Sequence, residues 1–179
     1  NINDPEFHEL LIRWFEYGCF CPVMRLHGYR WPLQPQYGTT GGATCVSGAP
    51  NEVWSYTDQV CEILSDYLRL RERMLPYITE LMEEAHEKGT PVMRPLFYDF
   101  PEDKESWNVE TEYMFGPKVL VKPITDADAR ETDVYLPGGA SWTNAWTGET
   151  FEGGQKVHVA APIEQIPLFT RDGYKLPMK

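Results

Sequence analysis

The sequence predicts an α+β chain whose first half is mainly helical and whose second half is an antiparallel β structure. Up to residue 90, apolar residues recur every three or four positions, as they do on the buried face of a helix. After residue 90 they form short runs separated by Gly, Pro and Asp turns, the pattern typical of antiparallel strands. We therefore expect two domains, 1–90 and 91–179.

Composition and charge narrow the functional classes. Hydrophobic residues make up 42% of the 179 residues, so we expect a globular chain. The formal net charge is -11, which favours a neutral partner and argues against a nucleic-acid partner. The sequence holds no apolar run of about 18 residues, so we expect no membrane partner. No signal peptide is visible at the N-terminus, which favours a cytoplasmic location.

The cysteines match no zinc-site spacing, and no cofactor motif is present. We expect no metal and no cofactor, and reduced thiols rather than disulfides, because the chain is not a small cysteine-dense scaffold. The four cysteines are Cys19, Cys21, Cys45 and Cys61.

The first domain should begin with a helix and continue into a short strand. Asp4 suits the N-cap of a helix over residues 5–17, and Gly18 should end it. The apolar run from 19 to 26 is too short for a helix and contains Pro22, so it predicts a strand with one irregular point.

A long loop and a long helix should complete the first domain. Residues 28–52 lack apolar periodicity, and loops of this length are usually functional or disordered; the aromatic residues favour function. Residues 57–88 carry a broad apolar face, with a kink expected at Pro76 and a stop at Gly89.

The second domain should be an antiparallel β-sandwich of short strands. Its tryptophans, Trp107, Trp142 and Trp146, could bind sugar, but we favour core packing for all three. Trp142 and Trp146 are four residues apart on one strand, so they would point to the same face. The expected strands are Val92–Tyr98, Met114 with Phe115, Val119–Ile124, Thr132–Leu136, Ser141–Trp146, Lys156–Ala160 and Gln165–Thr170.

A series of short motifs extends along nearly the whole chain. The motifs are Arg25-Leu26-His27-Gly28, Glu52-Val53-Trp54, the Arg-x-Arg-x-x-Pro-Tyr-like run 71–77, Pro91-Val92-Met93-Arg94-Pro95-Leu96, Phe100-Pro101-Glu102-Asp103, Tyr113-Met114-Phe115-Gly116-Pro117, Tyr135-Leu136-Pro137-Gly138-Gly139, Trp142, Trp146-Thr147-Gly148 and the run 161–171. In this collinear order they resemble the C-terminal portion of glycoside hydrolase family 31, which contains α-glucosidases and α-xylosidases.

The resemblance implies that residues 1–90 are the last strand and helix of a (β/α)₈ TIM barrel, followed by the proximal C-terminal sandwich. It implies a retaining hydrolase that removes terminal α-linked glucose or xylose from oligosaccharides. Such enzymes need two carboxylates, and the family's two aspartates belong to earlier barrel strands. No aspartate of this sequence lies in a matching motif, so we expect an inactive fragment.

The same resemblance implies the substrate contacts. His27 matches the family histidine that hydrogen-bonds sugar hydroxyls, and the strand-end position together with Gly28, which lets the chain turn away, supports this role. Arg25 either bonds sugar or holds a neighbouring carboxylate, and we favour the second. Trp31 and Trp54 could stack on the sugar, although core packing explains Trp54 equally well.

Two further hypotheses belong to other classes. The sandwich could be a carbohydrate-binding module without hydrolysis, or a structural support for the barrel. Because large apolar patches rarely stay in water, we also expect self-association through the apolar faces of the helices 5–17 and 57–88, which a truncated barrel would expose. The sequence leaves glucose and xylose open, with a slight preference for xylose.

Overall fold

The computed structural model describes residues 4–27 and 30–178. Its α-helices are α1 Pro5–Cys19, α2 Asp58–Arg73, α3 Leu75–Lys88 and the short α4 Leu96–Asp99. Its strands are β1 Met93–Arg94, β2 Tyr113–Phe115, β3 Val119–Val121, β4 Glu131–Leu136, β5 Ser141–Asn144, β6 Thr150–Glu152, β7 Gln155–Ala160 and β8 Leu168–Arg171. None of the helices in this part of the chain is long and apolar enough to cross a membrane.

The strands form two sheets that pack face to face. One sheet has six strands in the order β1-β2-β3-β8-β5-β6, and the other pairs β4 with β7; every pairing is antiparallel. An apolar cluster fills the space between them and includes Met114 and Leu120 from the larger sheet and Val134 and Leu136 from the smaller one. The predicted α+β class and antiparallel sandwich are confirmed.

The helices cover the other face of the six-stranded sheet. Residues Leu64 and Ile78 of α2 and α3 share one buried cluster with Phe115, Val119 and Leu168 of the sheet. The two predicted domains therefore bury apolar surface against each other, and the boundary at residue 90 remains a prediction within a continuous core.

The helix signals predicted most of the helical structure. Asp4 is the N-cap of α1, accepting a bond from the Glu6 N–H at 3.1 Å. The long helix breaks at Met74, two residues before Pro76, because proline has no N–H and its ring crowds the preceding turn. Gly89 ends α3 in the left-handed conformation, with φ 70°.

The predicted end of α1 and the following strand are wrong. Gly18 lies inside α1, which continues through Cys19 and is capped by Phe20. Residues 21–27 form bends and irregular backbone instead of a strand. The backbone N–H and C=O groups of a strand form hydrogen bonds with a neighbouring strand. Among the described residues no strand lies beside this segment.

The prediction of core packing is confirmed for Trp142, holds in part for Trp146 and is wrong for Trp107. Trp142 on β5 is 0% exposed and lies between the two sheets. Trp146 lies beyond the end of β5 and packs at the edge of the helix–sheet cluster instead. Trp107 is 58% exposed and therefore is not a core residue.

The sequence does not predict β6, because Thr150–Glu152 is a short strand at the sheet edge with no fully buried residue.

A buried polar network fastens the helices to the sandwich. Arg13 in α1 donates to Glu16 Oε2 at 3.0 Å and to the carbonyls of Ala129 at 3.1 Å and Ala161 at 2.8 Å. The Tyr67 hydroxyl in α2 donates to Glu16 Oε1 at 3.0 Å and accepts from the Ile166 N–H at 2.9 Å. Because the side chains of Arg13, Glu16 and Tyr67 are buried, removing one of them would leave polar groups of the others without a bond.

This network should make the stability of the fold depend on pH. Burial raises the pKa of Glu16 to about 7, although the positive charge of Arg13 opposes the shift. Between the ordinary value of 4.5 and pH 7 the folded chain then keeps a proton that the unfolded chain has lost. The free energy of unfolding should therefore fall as the pH rises through this range, by about 1 to 3 kcal/mol from this group.

Urea unfolding at pH 4.5 and pH 7.5 measures this dependence. Glu16→Gln should reduce the fall, because the amide does not titrate, whereas the exposed control Glu83→Gln should leave it as in the wild type. A Glu16→Gln variant with the same pH dependence as the wild type would contradict the prediction.

Candidate functional site

The loop after α1 folds back on itself. The Ala49 N–H donates to the Arg30 carbonyl at 2.7 Å, and Gln34 and Ser47 exchange two backbone hydrogen bonds of 2.8 and 3.3 Å. These bonds bring the second half of the loop beside the chain that leaves α1. The backbone thereby places residues 47–52 next to Leu26 and His27, which are distant from them in sequence.

An open depression of about 410 Å³ lies between these two segments. His27 is exposed and lines it, and no side-chain hydrogen bond of His27 occurs among the residues that the structure describes. A neutral imidazole accepts at one ring nitrogen and donates from the other, so it can bind a hydroxyl group. The lining residues are Leu26, His27, Tyr37, Ser47, Gly48, Ala49, Pro50, Asn51 and Glu52.

The other three predicted site residues do not line this depression. Arg25 is exposed, and it forms no hydrogen bond or ion pair with another residue of the described ranges 4–27 and 30–178. Trp31 is 74% exposed and precedes a cis bond to Pro32. Trp54 is 72% exposed on the 3₁₀ turn Val53–Ser55, so the alternative of core packing does not hold for it in this chain.

Tyr56 anchors the depression to the rest of the chain. Its hydroxyl donates to Asn51 Oδ1, and the Arg30 guanidinium lies 5.4 Å from its ring centre. The ring also meets Phe7 of α1, with 6.1 Å between ring centres. Burial raises the pKa of the Tyr56 hydroxyl, against the opposing charge of Arg30, so the group stays a neutral donor. The contact between Phe7 and Tyr56 therefore connects α1 to the residues that line the depression.

Three polar residues in the depression escape prediction from the sequence. Tyr37, Asn51 and Glu52 contribute a phenol, an amide and a carboxylate. In the sequence, Glu52 stands out only as part of a motif that opens the last helix. Its place beside His27 depends on the fold of the loop, for which residues 28–52 carry no periodic signal. The aromatic content of the loop is the one available indication.

None of the aspartates of the chain lines the depression. Some of them bind other residues of the fold, and the others are exposed to solvent. Asp99 pairs with Arg94 at 3.0 Å, and Asp103 accepts from the Tyr135 hydroxyl and the Gly138 N–H. Glu52 is the one carboxylate among the described residues that line the depression. In the same part of the chain no group of three or more His, Cys, Asp and Glu side chains is placed to hold a metal ion. The four cysteines are free.

Comparison with known families matches the two halves of the fold separately. The TIM-barrel domain of glycosyl hydrolases family 31 matches residues 2–81, and the C-terminal domain of the same family matches residues 89–176. Together the two matches cover nearly the whole chain. The chain belongs to glycosyl hydrolase family 31. The predicted family and the predicted order of a barrel end followed by a C-terminal sandwich are confirmed.

Individual members of family 31 match along the same length. An α-xylosidase of Saccharolobus solfataricus is 36% identical over 99% of this chain and 22% of its own length. Alpha-glucosidase 2 of Bacillus thermoamyloliquefaciens is 36% identical over 92% of this chain and 19% of its own length. The family 31 chain described here thus spans about a fifth of the curated relatives that it matches.

Solved structures of family 31 share the fold. An α-xylosidase from a soil metagenome, complexed with xylose, has a TM-score of 0.90 and 47% identity, covering 98% of this chain and 26% of that one. A Flavobacterium johnsoniae dextranase complexed with isomaltotriose has a TM-score of 0.80 and 30% identity, covering 97% of this chain and 20% of that one. Members of the family thus bind saccharides of different size.

Proposed function

We propose that this family 31 chain is part of a longer retaining α-glycosidase that removes terminal α-linked xylose or glucose from oligosaccharides, and that His27 contacts the sugar. The observation that carries the proposal is the exposed imidazole of His27 in a depression that the folded loop closes on one side. The similarity to an α-xylosidase complexed with xylose, at 47% identity, supports xylose as the first substrate to test.

The depression suits a neutral saccharide. Its polar lining combines an imidazole, a phenol, an amide and a carboxylate from His27, Tyr37, Asn51 and Glu52. These groups donate to and accept from hydroxyls without presenting a cluster of positive charge, which a phosphate or carboxylate ligand would need. A site that hydrogen-bonds sugar hydroxyls also discriminates against substrates that lack them.

The chemical step requires groups from outside this chain. In a retaining glycosidase one carboxylate attacks the anomeric carbon while a second protonates the leaving oxygen, with the two about 5–5.5 Å apart. Only one carboxylate of the described residues, Glu52, lines the depression. We propose that the nucleophile and the acid/base aspartate belong to other strands of the barrel, and that the 179 residues alone do not hydrolyse glycosides.

The remaining predicted site residues have secondary roles in this proposal. Arg25 is exposed two residues before His27 and would hold a carboxylate of a neighbouring barrel strand. Trp31 and Trp54 lie outside the depression, so their exposed faces would stack only on a pyranose ring that extends beyond it. The sandwich serves as a support, because its six-stranded sheet carries the helices on one face.

Kinetics with p-nitrophenyl α-xyloside and α-glucoside test the proposal. In the full-length enzyme, His27→Ala should lower kcat/KM by about 10- to 100-fold, since one or two hydrogen bonds to sugar hydroxyls are lost. The isolated 179-residue chain should show no turnover. His86→Ala on the exposed side of α3 is the control and should keep wild-type kinetics.

Two results would contradict this assignment. Unchanged kinetics of His27→Ala would remove the sugar contact. Turnover by the isolated chain, retained after purification to a single species and absent from a mock preparation, would remove the claim that the catalytic carboxylates lie outside it.

We further propose that the isolated chain associates with itself. Apolar side chains that a complete barrel would cover are exposed on α1 and on α2 and α3, namely Leu10, Trp14, Leu68, Leu75 and Met82. Apolar surface of this kind is removed from water when two copies pack together.

Sedimentation velocity at micromolar concentration measures the association. The wild-type chain should sediment as a dimer or larger species, and Leu75→Glu should shift it to the monomer because it places a charge in the apolar face. Tyr37→Glu, which adds a charge to the exposed loop, should not change the distribution. A monomeric wild-type chain would contradict self-association.

A second function, sugar binding by the sandwich without hydrolysis, rests on Trp107. One face of its indole stacks on Phe97 with 4.6 Å between ring centres and 12° between planes, and Nε1 donates to the Pro101 carbonyl at 3.0 Å. These contacts fix the ring while 58% of it stays exposed, as a stacking platform requires. The buried Trp142, in contrast, offers no face to a ligand.

Isothermal titration of the whole chain with maltose and with xylose tests this second function. If it holds, saturable binding should be lost in Trp107→Ala and kept in the control Trp14→Ala, which removes another exposed tryptophan, from α1. No heat of binding, or binding that survives Trp107→Ala, would leave the sandwich as a support.

A further inference from the structure

The chain that carries His27 away from α1 has few backbone contacts of its own. After the Cys21 N–H, which donates to the Gly18 carbonyl at 3.1 Å, no backbone–backbone hydrogen bond of residues 22–27 occurs within the described part of the chain. The position of His27 therefore depends on side chains that bind this segment from other elements.

Arg71 of α2 supplies most of those contacts. Its Nη1 donates to the carbonyls of Cys19 at 2.7 Å and Cys21 at 2.8 Å, and its Nη2 donates to the carbonyl of Pro22 at 3.1 Å. The Tyr113 hydroxyl of β2 donates to the carbonyl between them, that of Phe20, at 3.0 Å. Four consecutive carbonyls are thus held by two side chains from outside the segment.

The charge of Arg71 also suits this place. The last turn of α1 contains no basic residue, while its final carbonyls carry the negative end of the helix dipole. No ion pair of Arg71 with a carboxylate occurs among residues 4–27 and 30–178, so its hydrogen-bonding capacity is directed at these carbonyls. A planar guanidinium can bond several carbonyls at once, which a compact ammonium group does poorly.

The fixed segment leads directly to His27. The Met24 side chain lies against Gly18, and its sulfur is 3.7 Å from the Cys19 sulfur, so the segment contacts α1 again two residues after the last carbonyl that Arg71 binds. Two residues separate Met24 from His27. A change in the direction in which the chain leaves Cys21 and Pro22 would therefore move the imidazole relative to the loop that forms the other side of the depression.

We propose that Arg71 is a positioning residue for His27: its guanidinium sets the path of residues 19–22 and thereby the place of the imidazole in the sugar site. This inference rests on the proposed contact between His27 and the sugar. Arg71 itself does not line the depression, so it acts through the backbone and not on the substrate.

A double-mutant cycle in the full-length enzyme tests the inference. Arg71→Lys keeps the charge but loses the planar fork, and it should lower kcat/KM by about 10- to 100-fold, the cost of a misplaced binding group. In the His27→Ala background the same substitution should cost less than about twofold, because the group that it positions is already gone. Arg69→Lys is the matched control, since Arg69 lies in the same helix and, among the described residues, pairs only with the exposed Asp66.

Hydrogen exchange of the amides of Phe20 and Cys21, which donate to the carbonyls of Tyr17 and Gly18, provides a readout that does not depend on activity. Arg71→Lys should speed their exchange, while Arg69→Lys should not. Thermal unfolding checks that Arg71→Lys folds, and Tyr113→Phe, which removes one donor from the same carbonyl series, provides a second variant.

The outcomes separate this inference from the proposed function. If His27→Ala impairs the enzyme and Arg71→Lys does not, Arg71 has no positioning role. Equal losses from Arg71→Lys in the presence and absence of His27 would also overturn it, because they would show a general structural effect. If His27→Ala leaves the kinetics unchanged, the proposed sugar contact fails and the inference fails with it.

Discussion

The buried guanidinium of Arg13 joins three parts of the chain that are far apart in sequence. It bonds Glu16 within α1 and the carbonyls of Ala129 and Ala161 in the sandwich, while Tyr67 of α2 reaches the same carboxylate. Burying charged and polar groups is costly unless they are hydrogen-bonded, so the bonds of this network favour the observed arrangement of helices and sheet. The apolar core supplies most of the stability, and the network fixes the orientation.

The orientation of α1 determines the path of the chain that leaves it. Because Arg13 holds the middle of α1 on the sandwich, the end of the helix lies within reach of Arg71 and of Tyr113. Those two side chains then direct the segment that carries His27. The candidate sugar site thus depends on the sandwich although no sandwich residue lines it. Under the proposed function, a support domain placed in this way would act on substrate binding through the helix that it holds.

The helices and the irregular segment of the first half differ in how their backbone groups are satisfied. The helices bury one face against the sheet, and the apolar cluster there extends from Ile12 of α1 to Leu168 of β8. The segment expected to be a barrel strand has no strand partner among the described residues and stays irregular. Helices satisfy their own backbone groups, whereas a strand depends on its neighbours, so the two kinds of element respond differently to the same surroundings.

The sequence by itself determined the family, the α+β class, the capped start of α1, the break near Pro76 and most of the sandwich strands, since these depend on local periodicity, caps and turns. It also indicated His27 through the family resemblance, while Gly28 lies outside the described residues. Only the tertiary structure decided the irregular segment before His27, the exposure of Trp107, and the placement of His27 and Glu52 along one depression. Each of these depends on contacts between residues distant in sequence, which no local pattern encodes.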